Sequence, residues 1–449
     1  MERREFLKIS GAAAAGAVIG ACVGGRNEKS APAPAPVGDG MVFRENPLNG
    51  DKVSLLGFGC MRWPMIKDET GAEVIDQKAV NEMVDYAIEH GVNYFDTSPA
   101  YLRGLSERAA GEALGRHPRE SYYLATKLSN FSDQSPEASI AMYRESFKEL
   151  KTDYFDYYLL HSIGRGGVEA YRKRYVENGM VDFLLKEKEA GRIRNLGFSF
   201  HGSKEAFDEL IALHDSGEMH WDFVQIEMNY IDWRHADGVR NCNAEYLYAE
   251  LDRREIPIVI MEPLLGGRLA SVPEGVARQM KQREPDMSVA SWAFRFCGTY
   301  PRILCILSGM TSMEPLEDNI KTFTSFRPLT EEELEFAEQM AVQITEYPLV
   351  NCTDCKYCMP CPFGIDIPGI FKHYNTSITE GTYAQSKEQE DYARLRRAYL
   401  VSYDRAIPTV RQADHCIGCG QCLPACPQSI DIPRELHKIS DYVERLKQG

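Results

Sequence analysis

Cysteines crowd the C-terminal part of the chain, and their spacing constrains the fold more than any other feature. Eight of the 13 cysteines lie after residue 351, with two or three residues between neighbours within each run. Neighbours this close are poorly placed to form a disulfide, whereas thiolates around iron favour such spacing. The pattern therefore predicts ligation of a metal or a cluster. Four scattered thiols are expected to be ordinary buried side chains: Cys60, Cys242, Cys297 and Cys305.

The two cysteine runs belong to an internal repeat. Residues 361–368 read CPFGIDIP, and residues 426–433 read CPQSIDIP. Two copies of one half-domain suggest a unit with pseudo-twofold symmetry. The runs are Cys352-x2-Cys355-x2-Cys358-x2-Cys361-Pro362 and Cys416-x2-Cys419-x2-Cys422-x3-Cys426-Pro427.

This pattern resembles that of bacterial two-cluster ferredoxins, in which the fourth cysteine of each half binds the cluster of the other half. The resemblance implies two 4Fe-4S clusters. One would be held by Cys352, Cys355, Cys358 and Cys426, and the other by Cys416, Cys419, Cys422 and Cys361. The first run departs from the ferredoxin pattern because only two residues precede its last cysteine. Zinc in two four-thiolate sites is the alternative.

The preceding 290 or so residues alternate between strand-like and helix-like segments. Eight strands alternating with helices predict an α/β fold, a (β/α)8 TIM barrel, over residues 41–330. A doubly wound open sheet is the alternative, but no G-x-G-x-x-G follows the first strand. The eight apolar runs begin near Val53, Val92, Tyr122, Phe155, Ile193, Phe223, Ile256 and Ile303.

Polar side chains stand at the ends of successive predicted strands. Asp96, Lys127 and His161 each end an apolar run, and Tyr101 follows Asp96 across a turn. If these strands are parallel neighbours, the four side chains meet at the rim where barrel enzymes place their chemistry.

In these motifs the barrel resembles the aldo/keto reductase family, which transfers hydride between a nicotinamide cofactor and a carbonyl or alcohol. The resemblance implies that Tyr101 is the general acid and that Lys127, held by Asp96, lowers its pKa. It also implies that His161 donates a hydrogen bond to the carbonyl oxygen. The motifs are Gly57-Phe58-Gly59, Phe95-Asp96-Thr97-Ser98, Thr126-Lys127, Leu160-His161, Gly197-Phe198-Ser199, Gln225, Asn229-Tyr230 and Glu262-Pro263-Leu264.

The same resemblance implies a set of cofactor-binding residues and either NADP(H) or NAD(H) as cofactor. Ser199 and Gln225 would hold the nicotinamide carboxamide, and Met261 stands where an aromatic side chain commonly stacks on the ring. No Lys or Arg follows Ser308 before Lys321, where the family places a cation against the 2'-phosphate. The remaining cofactor residues are Glu262, Pro263, Leu264, Ser308, Gly309 and Asn319.

The N-terminal residues resemble a signal sequence. The pair Arg3-Arg4, followed by an Ala- and Gly-rich apolar run, resembles a Tat export signal. Residues 19–22 resemble a bacterial lipobox in which Cys22 becomes lipidated. We therefore expect a signal over residues 1–22, an Ala/Pro-rich linker over 23–40, and a periplasmic or cell-envelope protein. Cleavage near Ala21 that leaves a soluble protein is the alternative.

Composition limits the partners. A formal net charge of -15 disfavours nucleic acid. No internal segment reaches the roughly 18 apolar residues of a membrane helix, so contact with a membrane is expected only through the lipid anchor. We expect a small carbonyl or alcohol substrate, and a redox protein as a candidate partner of the clusters.

The whole sequence predicts an exported oxidoreductase barrel followed by a mostly α dicluster ferredoxin-like domain over residues 331–449. Hydride transfer moves two electrons whereas each cluster moves one, and the sequence shows no flavin motif that would convert between them. Two alternatives therefore remain. One is an electron-transfer or ligand-binding module with an idle barrel, and the other is a reductase whose clusters are purely structural.

Overall fold

A computed structural model of the chain describes residues 40–236 and 241–449. The predicted export signal, the lipidation site predicted at Cys22 and nearly all of the predicted linker lie outside the described residues. Among the helices that are described, none has both the length and the apolar character needed to cross a membrane.

Eight parallel strands close into a barrel, and neighbours around the barrel are also neighbours along the chain. The closure is made by the last strand, since Ile306 pairs with Leu56 of the first. The predicted (β/α)8 barrel is therefore confirmed. The strands are β1 (Leu56–Gly59), β2 (Tyr94–Asp96), β3 (Tyr123–Leu128), β4 (Phe155–Ile163), β5 (Ile193–Phe200), β6 (Phe223–Glu227), β7 (Ile258–Met261) and β8 (Ile303–Ser308).

Two short antiparallel hairpins accompany the barrel. Phe43–Glu45 pairs with Lys52–Ser54, and Met65–Lys67 pairs with Glu73–Ile75. The apolar run that begins near Val53 thus contributes one hairpin strand before β1 begins at Leu56.

The barrel strands form because their residues are apolar on both faces. All nine residues of β4 are buried, as expected for a parallel strand covered by helices outside and by side chains inside. Tyr94, Tyr157 and Phe223 fill the barrel interior together with smaller side chains. The interior is therefore a packed core that leaves only the mouth free for a ligand.

Fifteen α-helices complete the described chain. Polar side chains begin several of them: Asp76, Ser135, Ser203 and Ser288 each accept a backbone N–H of the first turn. The helices are α1 (Gln77–Glu89), α2 (Leu105–Leu114), α3 (Pro136–Leu150), α4 (Gly167–Tyr171), α5 (Met180–Glu189), α6 (Lys204–Asp215), α7 (Asp232–His235), α8 (Ala244–Arg253), α9 (Glu274–Arg283), α10 (Val289–Thr299), α11 (Met313–Thr324), α12 (Glu331–Thr345), α13 (Ile367–Thr379), α14 (Tyr392–Ala406) and α15 (Ile432–Gln448).

Helix α12 packs on the barrel. It begins with a capping box, in which Thr330 and Glu333 exchange hydrogen bonds between side chain and backbone. Its buried face, which includes Phe336 and Met340, belongs to the same core as the barrel helices. A second core begins at Val350 and is formed by α13, α14, α15 and the cysteine loops.

The second core is small and rich in tyrosine. Tyr399 lies at its centre, with its ring 4.8 Å from that of Tyr442 and 6.1 Å from that of Tyr403. Predominantly helical structure around two cysteine loops agrees with the predicted α-rich second domain. Both cores belong to one compact unit.

Candidate active site and cluster-binding loops

Three of the four predicted catalytic side chains project from adjacent strands at one end of the barrel, and the fourth follows β2. Lys127 Nζ donates to Asp96 Oδ1 at 2.5 Å and to the carbonyl oxygen of Thr97 at 2.9 Å. The same nitrogen lies 4.9 Å from the centroid of the Tyr101 ring. The amine is therefore held between the carboxylate and the phenol, and all of these side chains are buried.

His161 completes the cluster. The edge of its ring meets Tyr101, with ring centroids 5.9 Å apart. Its Nδ1 lies 2.6 Å from Ser129 Oγ and 3.2 Å from Ser98 Oγ, and the two hydroxyls are 2.8 Å apart. Because serine hydroxyls occupy Nδ1, the other ring nitrogen, Nε2, is left for a ligand in the cavity.

Burial decides the charge states of the cluster. It lowers the pKa of His161 well below its usual value, and the positive charge of Lys127 acts in the same direction. The imidazole is therefore neutral near pH 7. Burial also raises the pKa of Asp96 and lowers that of Lys127, while their mutual attraction opposes both shifts. We take this pair to be ionised because a 2.5 Å contact stabilises the charged forms.

The expected pKa of Tyr101 is corrected by the structure. Burial raises this pKa well above 10, and the charge of Asp96 adds to the rise. Lys127 sits over the ring and makes no hydrogen bond to the hydroxyl. Within the described residues the hydroxyl has no hydrogen-bond partner at all. The cost of desolvating a phenolate at this buried position outweighs the attraction of the nearby amine.

All nine predicted cofactor residues line one cavity of about 910 Å³ above the catalytic cluster. Gln225 Oε1 is buried there without a hydrogen-bond partner, as is Asp96 Oδ2. Ser199 Oγ accepts from the backbone of Ser162 at 2.8 Å, and Asn319 Nδ2 donates to Ser308 Oγ at 3.0 Å. An orphaned amide oxygen in a large cavity beside these groups fits a ligand that brings N–H donors, as a nicotinamide carboxamide does.

The end of this cavity at β8 and α11 carries negative charge. Glu314 and Asp318 both line it. Lys321, the first cation after Ser308 in sequence, points elsewhere and donates to the carbonyl oxygen of Asp286. Arg62 approaches Gly309, but its guanidinium bonds to the backbone of Thr353 and lies 3.8 Å from Asp354.

The eight C-terminal cysteines separate into the two predicted crossed sets. Thiols of the first set, Cys352, Cys355, Cys358 and Cys426, act electrostatically on one another, and the four line a small cavity of about 20 Å³. In the second set Cys422 is close to Cys416, Cys419 and Cys361.

The donor set suits iron–sulfur clusters. All eight thiols are free, and no histidine or carboxylate stands in either set. Burial raises the pKa of Cys352 to about 11 and that of Cys355 to about 12. Several thiolates share one buried space only with a compensating cation, which the iron of a cluster supplies. Within residues 40–236 and 241–449 no three His, Cys, Asp or Glu side chains converge tightly enough to hold a single metal ion.

Residues at both cysteine runs contact the mouth of the barrel. Arg62 donates to the carbonyl oxygen of Thr353, and Gly266 approaches the Thr353 backbone so closely that a Cβ would lie 2.4 Å from its oxygen. On the other side Gln428 Nε2 donates to Glu227 Oε1 at 2.9 Å. Cys352, Cys355, Tyr357 and Pro427 consequently form part of the cavity wall.

Sequence reasoning missed Glu227 and Asp232, two acids that lie beside this contact and close to the predicted cofactor residue Glu262. Burial raises the pKa of Glu227 to about 7 and that of Asp232 to about 8, and the charge of Glu227 contributes to the second shift. Burial raises the pKa of Glu262 as well. His201 Nδ1 lies 3.3 Å from Glu227 Oε2, without the alignment of a hydrogen bond, and burial lowers its pKa to about 4.

The long connection after β4, which contains Arg165 and Arg174, does not supply cations to the cavity. Arg174 is buried and donates to the carbonyl oxygens of His161 and Ser162, and Arg165 donates to that of Pro424. After β6, Arg234 pairs with Glu245. Arg174 therefore stabilises the end of β4 at the barrel mouth, and Arg165 stabilises the contact with the second cysteine loop. The sequence gave no sign of the contact between Arg165 and Pro424, because these two residues are 259 positions apart.

A closed parallel barrel with a buried acid, amine, phenol and imidazole at its mouth defines a class of barrel oxidoreductase. The chain belongs to the aldo/keto reductase family, whose sequence profile matches residues 55–341. Residues 351–432 match the 4Fe-4S dicluster domain.

Individual relatives agree with this assignment. An uncharacterized oxidoreductase of Bacillus subtilis is 26% identical over 316 residues, which is 63% of this chain and 91% of the relative. The L-galactose dehydrogenase of Arabidopsis thaliana is 24% identical over 318 residues, covering 65% of this chain and 91% of that enzyme. Among solved structures, the holo form of an aldo-keto reductase from Bacillus halodurans has a TM-score of 0.52 at 22% identity, covering 67% of this chain and 96% of that one.

Proposed function

We propose that the protein is an exported oxidoreductase that transfers hydride between a nicotinamide cofactor and a carbonyl or alcohol. The observation that supports this most strongly is the position of the Asp96–Lys127 pair with Tyr101 beneath a single large cavity. That cavity is also lined by every residue that the family resemblance assigns to the cofactor.

Each catalytic side chain has a role that its contacts support. A bound nicotinamide supplies the hydride to the carbonyl carbon, or accepts it in the reverse direction. Tyr101, whose hydroxyl is free, donates a proton to the carbonyl oxygen, and the product is an alcohol. Lys127 lies 4.9 Å from the phenol ring and stabilises the phenolate that remains, while Asp96 holds the amine in place.

Neutral His161 orients the carbonyl. With Nδ1 accepting from Ser129 or Ser98, its proton resides on Nε2, and this N–H donates to the carbonyl oxygen. Its low pKa keeps the ring in this form across the physiological range. Gln225 Oε1 and Ser199 are placed to receive the nicotinamide carboxamide.

The cofactor that we propose is NAD(H) rather than NADP(H). Glu314 and Asp318 line the cavity where a 2'-phosphate would be expected, and carboxylates repel a phosphate while accepting hydrogen bonds from a ribose hydroxyl. We expect NADH to bind at least about tenfold more tightly than NADPH, a difference of about 1.4 kcal/mol. Tighter binding of NADPH in a fluorescence titration would contradict this preference.

We further propose that the clusters carry electrons between the cavity and a redox protein. In this route, oxidation of an alcohol to a carbonyl in the cavity would reduce each of the two clusters by one electron and release two protons, in place of hydride transfer to nicotinamide. Cys352 and Cys355 of the first set line the cavity, whereas Cys419 of the second set is exposed. Ile417, at 67% exposure, and Leu423 lie in the same loop as Cys419 and suit a protein partner.

The names of two relatives suggest the first substrates to test. One is called L-galactose dehydrogenase and another, 30% identical over 132 residues, D-arabinose 1-dehydrogenase of Saccharomyces cerevisiae. We therefore propose hydroxylated carbonyl compounds, with aldoses and their lactones as the starting panel.

The decisive experiment is anaerobic purification followed by iron and sulfide analysis, nucleotide titration and turnover. We expect two 4Fe-4S clusters per chain, saturable binding of NADH, and oxidation of NADH by at least one aldose or simple aldehyde. Absence of nucleotide binding would refute the reductase proposal. Unchanged turnover after the iron is removed would show that the clusters are structural.

Export and membrane attachment are proposals that rest on residues outside the described part of the chain. Replacing Arg3 and Arg4 by Lys should leave the protein in the cytoplasm, because the Tat receptor reads the arginine pair. Cys22→Ala should release it from the membrane fraction after export. Cell fractionation with immunodetection measures both effects, and a membrane-bound C22A variant would refute the lipid anchor.

A further inference from the structure

Tyr357 brings an aromatic side chain from the cluster-binding loop into the active-site cavity. It lies between Cys355 and Cys358 in the first cysteine run, and it lines the same cavity as Tyr101 and His161. The residue before it, Lys356, has a left-handed backbone with φ of 63°. A non-glycine residue in this conformation is strained, so the surroundings of this turn hold it in its course.

Aromatic contacts connect Tyr357 to the catalytic cluster. Its ring centroid is 6.4 Å from that of Phe131, and the Phe131 ring is 5.0 Å from that of His161. Phe131 is itself fixed by the guanidinium of Arg174, 4.7 Å from its ring. The described residues give the Tyr357 hydroxyl no hydrogen-bond partner. A half-buried phenol that faces a cavity without a partner is placed to bond to a ligand.

We propose that Tyr357 is a substrate-contacting residue whose hydroxyl bonds to a hydroxyl group of the substrate and whose loop links occupancy of the cavity to the first cluster. This inference rests on the proposed function, since it assigns one wall of the same site. It names a specificity determinant that the barrel does not contain.

The position of Tyr357 links the cavity to the first cluster. Cys355 and Cys358, on either side of Tyr357, are both assigned to the first cluster. A ligand that orders Tyr357 therefore alters the hydrogen bonds and solvent exposure of those two thiolates, which tune a cluster's spectrum and potential. By reciprocity, the redox state of that cluster changes the affinity of the cavity for the ligand. In the second cysteine run, no residue that stands between two cluster ligands lines the cavity.

The experiment compares Tyr357→Phe and Tyr357→Ala in the holoenzyme, with Phe363→Ala as the matched control. Phe363 is exposed and also belongs to the cysteine loops, but it does not line the cavity. Steady-state kinetics with glyceraldehyde and with benzaldehyde separate hydroxylated from purely aromatic substrates. Electron paramagnetic resonance of the reduced clusters is recorded with and without each aldehyde, in the absence of nucleotide.

We expect Tyr357→Phe to raise KM for glyceraldehyde about fivefold with kcat within a factor of two, and to leave benzaldehyde unchanged, because it removes one hydrogen bond. In the wild type, glyceraldehyde should shift one of the two cluster signals, and Tyr357→Ala should abolish the shift. Phe363→Ala should behave as the wild type in both assays.

The outcomes separate this inference from the reductase proposal. Turnover by the wild type with equal KM values for wild type and Tyr357→Phe, and with cluster signals that ignore glyceraldehyde, would overturn the role of Tyr357 and leave the reductase intact. A glyceraldehyde-dependent shift in a protein that shows no NADH oxidation would support the contact and refute the reductase. No shift in the wild type would refute the linkage.

Discussion

At the scale of single residues, the active site is governed by desolvation. Asp96, Lys127, Tyr101 and His161 are buried, and burial is the largest cause of every shifted pKa among them. The Asp96–Lys127 pair keeps its charges because the two groups are in direct contact, whereas the phenol and imidazole remain neutral. A neutral acid and a neutral hydrogen-bond donor beside a fixed cation suit proton delivery to a carbonyl oxygen.

Removing the phenol tests this assignment. Tyr101→Phe should lower kcat by a factor of about 10² to 10⁴, because the general acid is lost, while the affinity for NADH stays within twofold. Stopped-flow and steady-state kinetics measure the two quantities. Tyr158→Phe is the matched control: its hydroxyl is also buried without a partner, but it faces the helices outside the barrel. Equal losses in both variants would contradict a chemical role for Tyr101.

The buried acids predict a pH dependence of stability. The pKa of Asp232 is about 8 in the folded protein and near 3.9 when unfolded, so the folded state binds more protons between these values. The stability that this carboxyl contributes is complete at acidic pH and is lost as pH rises towards 8.

Asp232→Asn should therefore gain stability relative to the wild type as pH increases. The difference in free energy of unfolding should grow in favour of the variant by about 1 to 3 kcal/mol between pH 5 and pH 8. Denaturant titrations of the intact holoprotein at several pH values measure it. A difference that stays constant with pH would show that Asp232 does not titrate in this window.

At the scale of elements, the two cysteine loops share a backbone design with different residues. In the first loop Asp354 and Lys356, on either side of Cys355, have φ of 52° and 63°. In the second loop Gly418 and Gly420 stand at the equivalent positions around Cys419, with φ of 72° and 74°. The internal repeat is thus visible in conformation. The first loop carries the strain of a left-handed backbone at non-glycine residues, which glycine avoids in the second loop. Contact with the barrel mouth helps to hold the first loop in this conformation.

A pair of adjacent glycines tests the contact between barrel and cluster loop. Gly266 and Gly267 both have positive φ, so Ala at either position should cost about 1 kcal/mol in strain. Only at position 266 would the new Cβ meet the backbone of Thr353, at 2.4 to 2.7 Å; at 267 nothing lies within 4 Å. Gly266→Ala should lose about 1 to 3 kcal/mol more than Gly267→Ala.

Thermal unfolding measures the difference in stability between the two glycine variants. The electron paramagnetic resonance signal of the first cluster reports whether its loop has moved. Equal stability of the two variants, with identical cluster signals, would show that the loop does not rest against the barrel as described.

At the scale of the whole molecule, two hydrophobic cores meet at the active-site cavity. The barrel core extends through α12, and the smaller core begins at Val350 and includes several of the cysteines themselves. A core of this size depends strongly on its clusters, as small domains do on metal or disulfide cross-links. The barrel core has no such dependence.

Iron removal should therefore unfold the two regions separately. All four tryptophans, Trp63, Trp221, Trp233 and Trp292, are buried in the barrel core, so tryptophan fluorescence follows the barrel alone. After chelation we expect the midpoint by fluorescence to be nearly unchanged, while circular dichroism shows an additional transition at lower temperature. A single transition by both probes would show that the cores unfold as one unit.

Much of this fold and of the candidate site could be predicted from local patterns in the sequence. Apolar runs that alternate with helix-like segments indicated eight barrel strands. Polar residues at the ends of these strands indicated the catalytic cluster. Both inferences rely on neighbours close in the chain and on the rule that parallel strands share one carboxyl end. The crossed cysteine sets were implied by the resemblance to two-cluster ferredoxins, which the cysteine spacing and the CPFGIDIP and CPQSIDIP repeat indicated.

Only the tertiary structure decided how the two domains share a site. Arg62 and Thr353 are separated by 291 positions, Gln428 and Glu227 by 201, and no local pattern links them. The entry of Tyr357 into the cavity arises from that packing, and the raised pKa of Tyr101 arises first from its burial. Desolvation of a group depends on every residue that covers it, wherever in the chain those residues stand. Residue types and spacing therefore determined which chemistry is available. The fold determined the electrostatics of the site and which side chains enter it.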